Sequence, residues 1–420
     1  MADILTIIPY EFFPPKYGGA LRCFYLLKEM AKAHNVYLLT VQPEADFINA
    51  GLKFPVNVTV ISIENQPGYR SIFNILPERV SNAINSRLLK KSFFTKGNLF
   101  LLKVYPVLKK TLQQKKIDAV NYENLECFGL LRPMVAKLST HTKHLYDAHN
   151  VDSELWRQQS LGADDVESEN YALEALALEK KLSITSDLCF CCSENDKLKL
   201  NALNNQKLNI HVIANGVDIE NRPFDTNTEK QTIKNILFCG TLDYAPNIEA
   251  VIWFYNEVFP LIKTAIPQIK FTVIGKLNKP GPFEKLQQDQ SVDFVGFVDD
   301  VVPYYLNSSL LIAPLLSGSG TRLKILEAMS LGSPVVSTSV GAEGLEVSDG
   351  VHLLIANEAD KFANQVVKLL NNSVLFKDIQ LAAYELVKSK YDWKVIGNRV
   401  NTYINTLLNQ HVLNDSGLVG

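Results

Sequence analysis

Ala313-Pro314-Leu315-Leu316-Ser317-Gly318-Ser319-Gly320-Thr321-Arg322-Leu323-Lys324-Ile325-Leu326-Glu327-Ala328-Met329 is the stretch on which the reading of this chain turns. Residues 310–314 read as a buried strand, the next five as a glycine- and hydroxyl-rich loop, and 320–331 as a helix. A helix opened this way presents unpaired N–H groups and the positive end of its dipole, and both suit a phosphate. The glycines let the backbone approach an anion closely. At about 100° per residue, Gly320, Lys324 and Glu327 share one stripe of the helix. A phosphate at Gly320, the Lys324 ammonium beside it and a carboxylate to accept ribose hydroxyls would together suit a nucleotide. The same residues also fit an ordinary capped helix carrying a Lys324–Glu327 surface pair.

Outward from that stretch the pattern repeats. Apolar runs at 4–8, 36–41, 58–63, 117–122, 144–147 and 188–192 alternate with amphipathic segments, and the alternation restarts with 235–240, 271–275, 294–298, 310–314 and 335–338. Short apolar strands alternating with helices imply parallel sheets covered on both faces. At 420 residues the chain exceeds the size of one core. The expectation is therefore α/β with two Rossmann-like domains facing across a cleft: 1–218, a polar linker over 219–234 containing Pro223, and 235–390 for the nucleotide. A helix over 391–410 would pack back toward the first domain, followed by a tail at 411–420.

Composition narrows the function. Net charge is −2, which gives no general attraction to nucleic acid. The six cysteines form no paired CxxC array, and Cys189, Cys191 and Cys192 cannot converge on one metal from a strand, so buried reduced thiols are expected. His34 and His352 have no partners at ligand spacing, so the expected metal complement is none, and no cofactor is expected. The N-terminus reads as a first strand rather than a leader, and no stretch reaches ~18 uninterrupted apolar residues, which places the chain in the cytoplasm. Residues 80–116 hold nine basic residues and no acidic one, with Phe93, Phe94 and Tyr105 interleaved. That segment suits an anionic membrane surface, and equally two solvated surface helices.

The chain resembles glycosyltransferase family four, of the GT-B fold, whose nucleotide-sugar signature is Glu-x7-Glu in this strand–loop–helix. Glu327-Ala328-Met329 and Gly332-Ser333-Pro334-Val335-Val336 carry the second half, in a subgroup with a Gly-Ser-Gly-Thr-Arg loop. Ordered matches follow at Gly18-Gly19, His149-Asn150, Ser193-Glu194, Asn215-Gly216-Val217-Asp218, Phe238-Cys239-Gly240 with Pro246-Asn247, and Gly296-Phe297-Val298. The resemblance implies a retaining hexosyltransferase acting from a nucleoside diphosphate sugar, without metal, on a saccharide or lipid-linked acceptor in cell-surface glycan synthesis. It implies that Glu327 holds the ribose, Gly296–Val298 meet the base, Gly18 and Gly19 close over the diphosphate, and His149 sits beside the transferred sugar. Gly240, Thr241, Gly318, Ser319, Gly320 and Thr321 complete the donor site. The chain departs from the pattern in two respects. Ser319 stands where the first glutamate belongs, and Thr241 and Pro246 stand where the phosphate-binding Arg and Lys belong. Arg322 and Lys324 are read as taking over that charge.

Other candidates come from position alone. His149 follows a strand's carboxyl end, where open α/β sheets place ligands. Glu123 ends another strand, and Arg22 in the first helix turn points either to the cleft or to solvent. Two rival readings stay open: a nucleotide-sugar epimerase on the same fold, and a catalytically silent nucleotide-binding scaffold.

Overall fold

The computed structural model describes residues 1–15, 17–49, 54–63, 95–163, 166–222, 224, 228–278, 282–318 and 322–416. The chain divides into two units, one of residues 1–214 with 397–420 and one of residues 215–396. Most of the basic segment 80–116, and Ser319, Gly320 and Thr321, lie outside the described residues or have undescribed side chains.

The first unit is built on β1 (Asp3–Ile8), β2 (Asn35–Thr40), β3 (Val58–Ser62), β4 (Ala119–Tyr122), β5 (Lys143–Ala148), β6 (Leu188–Cys191) and β7 (Ile210–Val212). They form one sheet in the order β3-β2-β1-β4-β5-β6-β7, and every pair is parallel. Ile4, Leu5, Ile7 and Ile8 are fully buried, as a strand covered on both faces requires. The chain builds outward from β1 through β2 to β3, then returns to β1's other side with β4. Between β1 and β4 the order reverses, so the crevice beyond their carboxyl ends is the natural ligand position.

The second unit repeats this plan with β8 (Asn235–Cys239), β9 (Lys270–Ile274), β10 (Val292–Gly296), β11 (Leu310–Ala313), β12 (Val335–Ser337) and β13 (Leu354–Ile355). Their order is β10-β9-β8-β11-β12-β13, again all parallel, with the reversal between β8 and β11. Phe254, Phe271 and Phe362 centre its core, the first two with ring centroids 4.9 Å apart.

Several expected boundaries move. The helix expected from 320 runs Leu323–Ser330. The strand expected at 294–298 ends at Gly296, where a register shift follows Phe294 and φ is +83°. Residues 219–234, which composition marks as a linker, fall within the second unit. A 3-10 helix occupies Thr228–Ile233, and Arg222 bonds Glu327. The start of the second unit is tied to its end, Val217 N–H donating to Tyr391 O (2.8 Å) and Trp393 N–H to Val217 O (3.2 Å). The helix Trp393–Ser416 then leads back into the first unit, where Asn401 bonds Glu29 O (3.1 Å) and Tyr403 stacks on His211 at 3.8 Å. Among the described residues no helix is long and apolar enough to cross a membrane.

Candidate functional site

In the second unit the chemistry gathers at the β8/β11 reversal. The strand ends are stitched together, Gly240 N–H donating to Ile274 O (3.0 Å) and Gly275 N–H to Gly296 O (2.8 Å). Lys324, in the first turn of the helix Leu323–Ser330, extends to the end of β8. A Cβ on Gly240 would stand only 2.7 Å from Lys324 Nζ, so glycine there makes room for the ammonium. Nζ donates to Asn247 Oδ1 (3.0 Å) and lies 4.4 Å from the Phe238 ring centroid. Asn247 Nδ2 in turn donates to Thr241 O (2.9 Å). Both immediate partners of the ammonium are neutral, and burial brings its pKa down to about 8.

Glu327, one turn beyond Lys324, is half-buried. Its Oε1 accepts from Arg222 Nη2 (2.9 Å) and its Oε2 faces Tyr305 OH at 3.5 Å. Burial pushes its carboxyl up, and the Arg222 guanidinium opposes that push. Tyr305 is fully buried and also donates to Lys324 O (3.3 Å), which braces the helix start. Cys239, at the end of β8, is driven up to about 11 by burial.

Arg322 takes a different place from Lys324. Its side chain is 7% exposed and Nη2 donates to Gly318 O (2.9 Å), so in this structure it holds the loop after β11. Gly318 lies against Pro246, a Cβ there standing 3.2 Å from the ring. Gly296 ends the edge strand β10, two places from β8, and Phe297 and Val298 follow it, with Phe297 exposed. The structure thus brings together Gly240, Thr241, Lys324 and Glu327, and sets 296–298 at the sheet's edge.

In the first unit the β1/β4 reversal holds a second cluster. Gly18 opens the helix Gly18–Met30, and a Cβ on Gly19 would stand 3.3 Å from His149 Nδ1. The other ring nitrogen, Nε2, donates to Glu123 Oε2 (3.2 Å), which leaves Nδ1 on the Gly19 side. Glu123 also accepts from Asn121 Nδ2 (2.6 Å) and from the Cys23 thiol (3.2 Å). Ligand atoms of Cys23, Glu123 and His149 lie within 4.8 Å of one another, close enough to suggest a cation. Burial pushes the Cys23 thiol well up, however, and as a neutral donor to Glu123 it belongs to a hydrogen-bonded chain running from Tyr10 to His149.

Arg22 points neither to a cleft nor to solvent. It is 1% exposed and grips Asp147 with Nε (2.9 Å) and Nη2 (2.6 Å), while Nη1 donates to Ile213 O (2.6 Å). The pair ties the first helix to β5 and to the segment after β7.

Sequence reasoning missed Arg222 and Tyr305, and it quoted Asn247, beside Pro246 in the Phe238-Cys239-Gly240 match, without giving it a role. Their partners are 105, 22 and 77 positions away, and no local pattern announces them.

Residues 233–372, which span the whole second-unit cluster except Arg222, match the family model described as Glycosyl transferases group 1. An uncharacterized 44.6 kDa protein in the cps region of Klebsiella pneumoniae is 32% identical over 170 residues, 39% of this chain and 44% of its own length. The phosphatidyl-myo-inositol mannosyltransferase of Mycobacterium leprae is 26% identical over 183 residues, 41% and 47% of the two chains. These matches span less than half the length of the curated relatives. The solved structure of sucrose-phosphate synthase from Thermosynechococcus elongatus superimposes with a TM-score of 0.70 at 15% identity, covering 98% of this chain and all of that one. At that identity the likeness shows the fold, which is GT-B with two Rossmann-like parallel-sheet units.

Proposed function

We propose that this protein is a glycosyltransferase that moves a hexose from a nucleoside diphosphate sugar to a saccharide or lipid-linked acceptor, with retention at the anomeric carbon. The observation that carries the reading is Lys324. It is an ammonium with neutral partners, held against Gly240 at the strand reversal, one helical turn from the Glu327 carboxylate. An anion arriving there gains a charge-assisted bond, and a ribose beside it meets an acceptor of two hydrogen bonds.

Each group then has a task. Lys324 neutralises the leaving diphosphate, helped by the N–H groups that open its helix, and Arg322 shapes the loop on which the phosphates rest. Glu327 holds the ribose, and 296–298 meet the base through backbone groups. His149 serves the transferred sugar, its ring oriented by Glu123. The family match over 233–372 supports nucleotide-sugar use, and retention rests on the resemblance to family four. Ser319, in place of a carboxylate, bears on which sugar is accepted.

A panel of nucleoside diphosphate sugars, screened by thermal stabilisation, identifies the donor, because a ligand selective for the folded state raises stability by mass action. The stabilising donor is then incubated with and without saccharide and lipid-linked acceptors, with and without a chelator. Acceptor-dependent release of nucleoside diphosphate that survives chelation is the expected result. A changed donor sugar with no acceptor needed would make the protein an epimerase, and binding with neither transfer nor hydrolysis would make it a silent scaffold.

A further inference from the structure

Arg222 lies in the segment before β8, outside every motif quoted above. Its side chain is secluded, 20% exposed against 18% for Glu327. Nη2 donates to Glu327 Oε1 (2.9 Å), while Nη1 is buried with no hydrogen-bond partner among the described residues. A guanidinium placed to satisfy itself would not strand one of its amino groups. The position is therefore dictated by the one side chain it does bond, Glu327.

Among the described residues, four charged or titratable groups face Glu327. Arg222 approaches from the segment before β8, Tyr305 from the helix Val302–Leu306, Cys239 from β8, and Lys324 from the same helix as Glu327. Tyr305 reaches Oε2 at the limit of bonding distance, and Lys324 Nζ is engaged with Asn247. Arg222 alone makes a full charge-assisted bond to the carboxylate. An ionised carboxylate offers about four lone-pair directions, so one guanidinium and one phenol leave two of them over.

We infer that Arg222 is a positioning residue of the nucleotide site: it fixes the Glu327 carboxylate so that the remaining lone pairs accept the two ribose hydroxyls. This inference rests on the reading that Glu327 holds the ribose. Burial alone favours the protonated acid, which would turn one acceptor into a donor. Arg222 offsets that tendency. The alternative is a strap, in which the ion pair only pins residues 219–224 to the unit.

UDP and GDP are titrated by calorimetry into wild type, Arg222→Met, Arg222→Lys and Glu327→Gln, between about pH 5.5 and 7.5, where Lys324 is mostly charged. Each variant is read as a ratio to wild type at the same pH, which cancels titration of the phosphates. For whichever diphosphate the wild type binds, Arg222→Met is expected to lose roughly tenfold or more near pH 5.5 and to lose less as pH rises, because ionising Glu327 then needs less help. Arg222→Lys, which keeps the charge, restores most of the affinity at both. Glu327→Gln loses affinity alike across the range, and adding Arg222→Met to it costs nothing further. Wild-type affinity in Arg222→Met near pH 5.5, or an equal loss at both pH values with only a lower melting temperature to explain it, overturns the positioning role and leaves the nucleotide reading standing. If the wild type binds neither diphosphate, nor any nucleotide sugar in the panel, the nucleotide reading falls and this inference with it.

Discussion

Replacing Lys324 by methionine should make the empty protein more stable while depriving it of its ligand. Burial lowers the ammonium from its ordinary 10.5 to about 8, with the nearby Arg322 charge acting in the same direction and Cys239 and Glu327 opposing it. Because the folded value lies below the unfolded one, the cost is fully present below about pH 8 and disappears as pH rises toward 10.5. At about 1.4 kcal/mol per unit the cost is about 3.5 kcal/mol, and solvent reaching this half-buried side chain reduces it to about 2. Methionine keeps the packing against Phe238 and removes the charge. For a unit of this size, about 2 kcal/mol corresponds to a melting temperature higher by roughly 4–8 °C at pH 7. Nucleoside diphosphate should then raise the melting temperature of wild type and leave the variant unmoved. A third readout isolates the proton. Near pH 8 about half of the Lys324 groups are neutral, and a bound diphosphate recharges them, so wild type takes up about half a proton. Calorimetry in two buffers of different ionisation heat measures that uptake, which vanishes in Lys324→Met. A variant less stable than wild type, or one that binds diphosphate with undiminished proton uptake, would refute the reasoning.

Four further outcomes are expected. His149→Ala should lower turnover by about one to three orders of magnitude and Glu123→Gln by less, both with donor affinity near wild type; unchanged steady-state kinetics would return the pair to a structural role. Breaking the buried Arg22–Asp147 pair with Asp147→Asn leaves a guanidinium that is 1% exposed without its counter-charge and should cost about 3–5 kcal/mol in urea unfolding, whereas a loss under 1 kcal/mol counts against it. Glu179 is fully buried, accepts the Ser153 N–H (3.3 Å), and is raised by burial to about 7. Since its folded value lies above the unfolded one, its contribution is fully present below about pH 4.5 and is lost as pH rises through 7, by roughly 3 kcal/mol, so Glu179→Gln should flatten the melting temperature between about pH 5 and 8. Residues 80–116 should carry the protein onto anionic liposomes in a salt-sensitive manner, at ~1 kcal/mol per basic residue near the surface. Gln at Lys90, Lys91, Lys109 and Lys110 should release it, and binding indifferent to both salt and charge would refute that reading.

Much of the fold is legible because a parallel sheet needs apolar residues on both faces, and that demand writes itself into the sequence as continuous runs. Strands β7 and β13 escape it, being three and two residues long, too short for a run to stand out. The helix after β11 begins at Leu323, three positions later than the sequence pattern places it. Lys324 and Glu327 are legible as a pair because helical spacing is local. Arg222 is not. It reads as one charge in a polar segment, and only the fold carries it across 105 positions to Glu327.

The same contrast separates structural from functional charge. Arg22 and Arg222 are both secluded arginines bonded to a carboxylate, yet their surroundings differ. Arg22 meets Asp147 through two nitrogens and a backbone carbonyl through the third, so its charge and its donors are both accounted for within the first unit. Among the described residues Arg222 has one hydrogen bond and a buried amino group left over, and Lys324 has no carboxylate bonded to its ammonium. Two cations, Arg222 and Lys324, thus act on the one carboxylate of Glu327, while Arg322 feels the carboxylate of Glu343. A cluster with surplus positive charge is unstable by itself and is balanced by an anion. In a unit whose strand order already directs ligands to that spot, the diphosphate of a sugar donor is an anion of matching charge and reach.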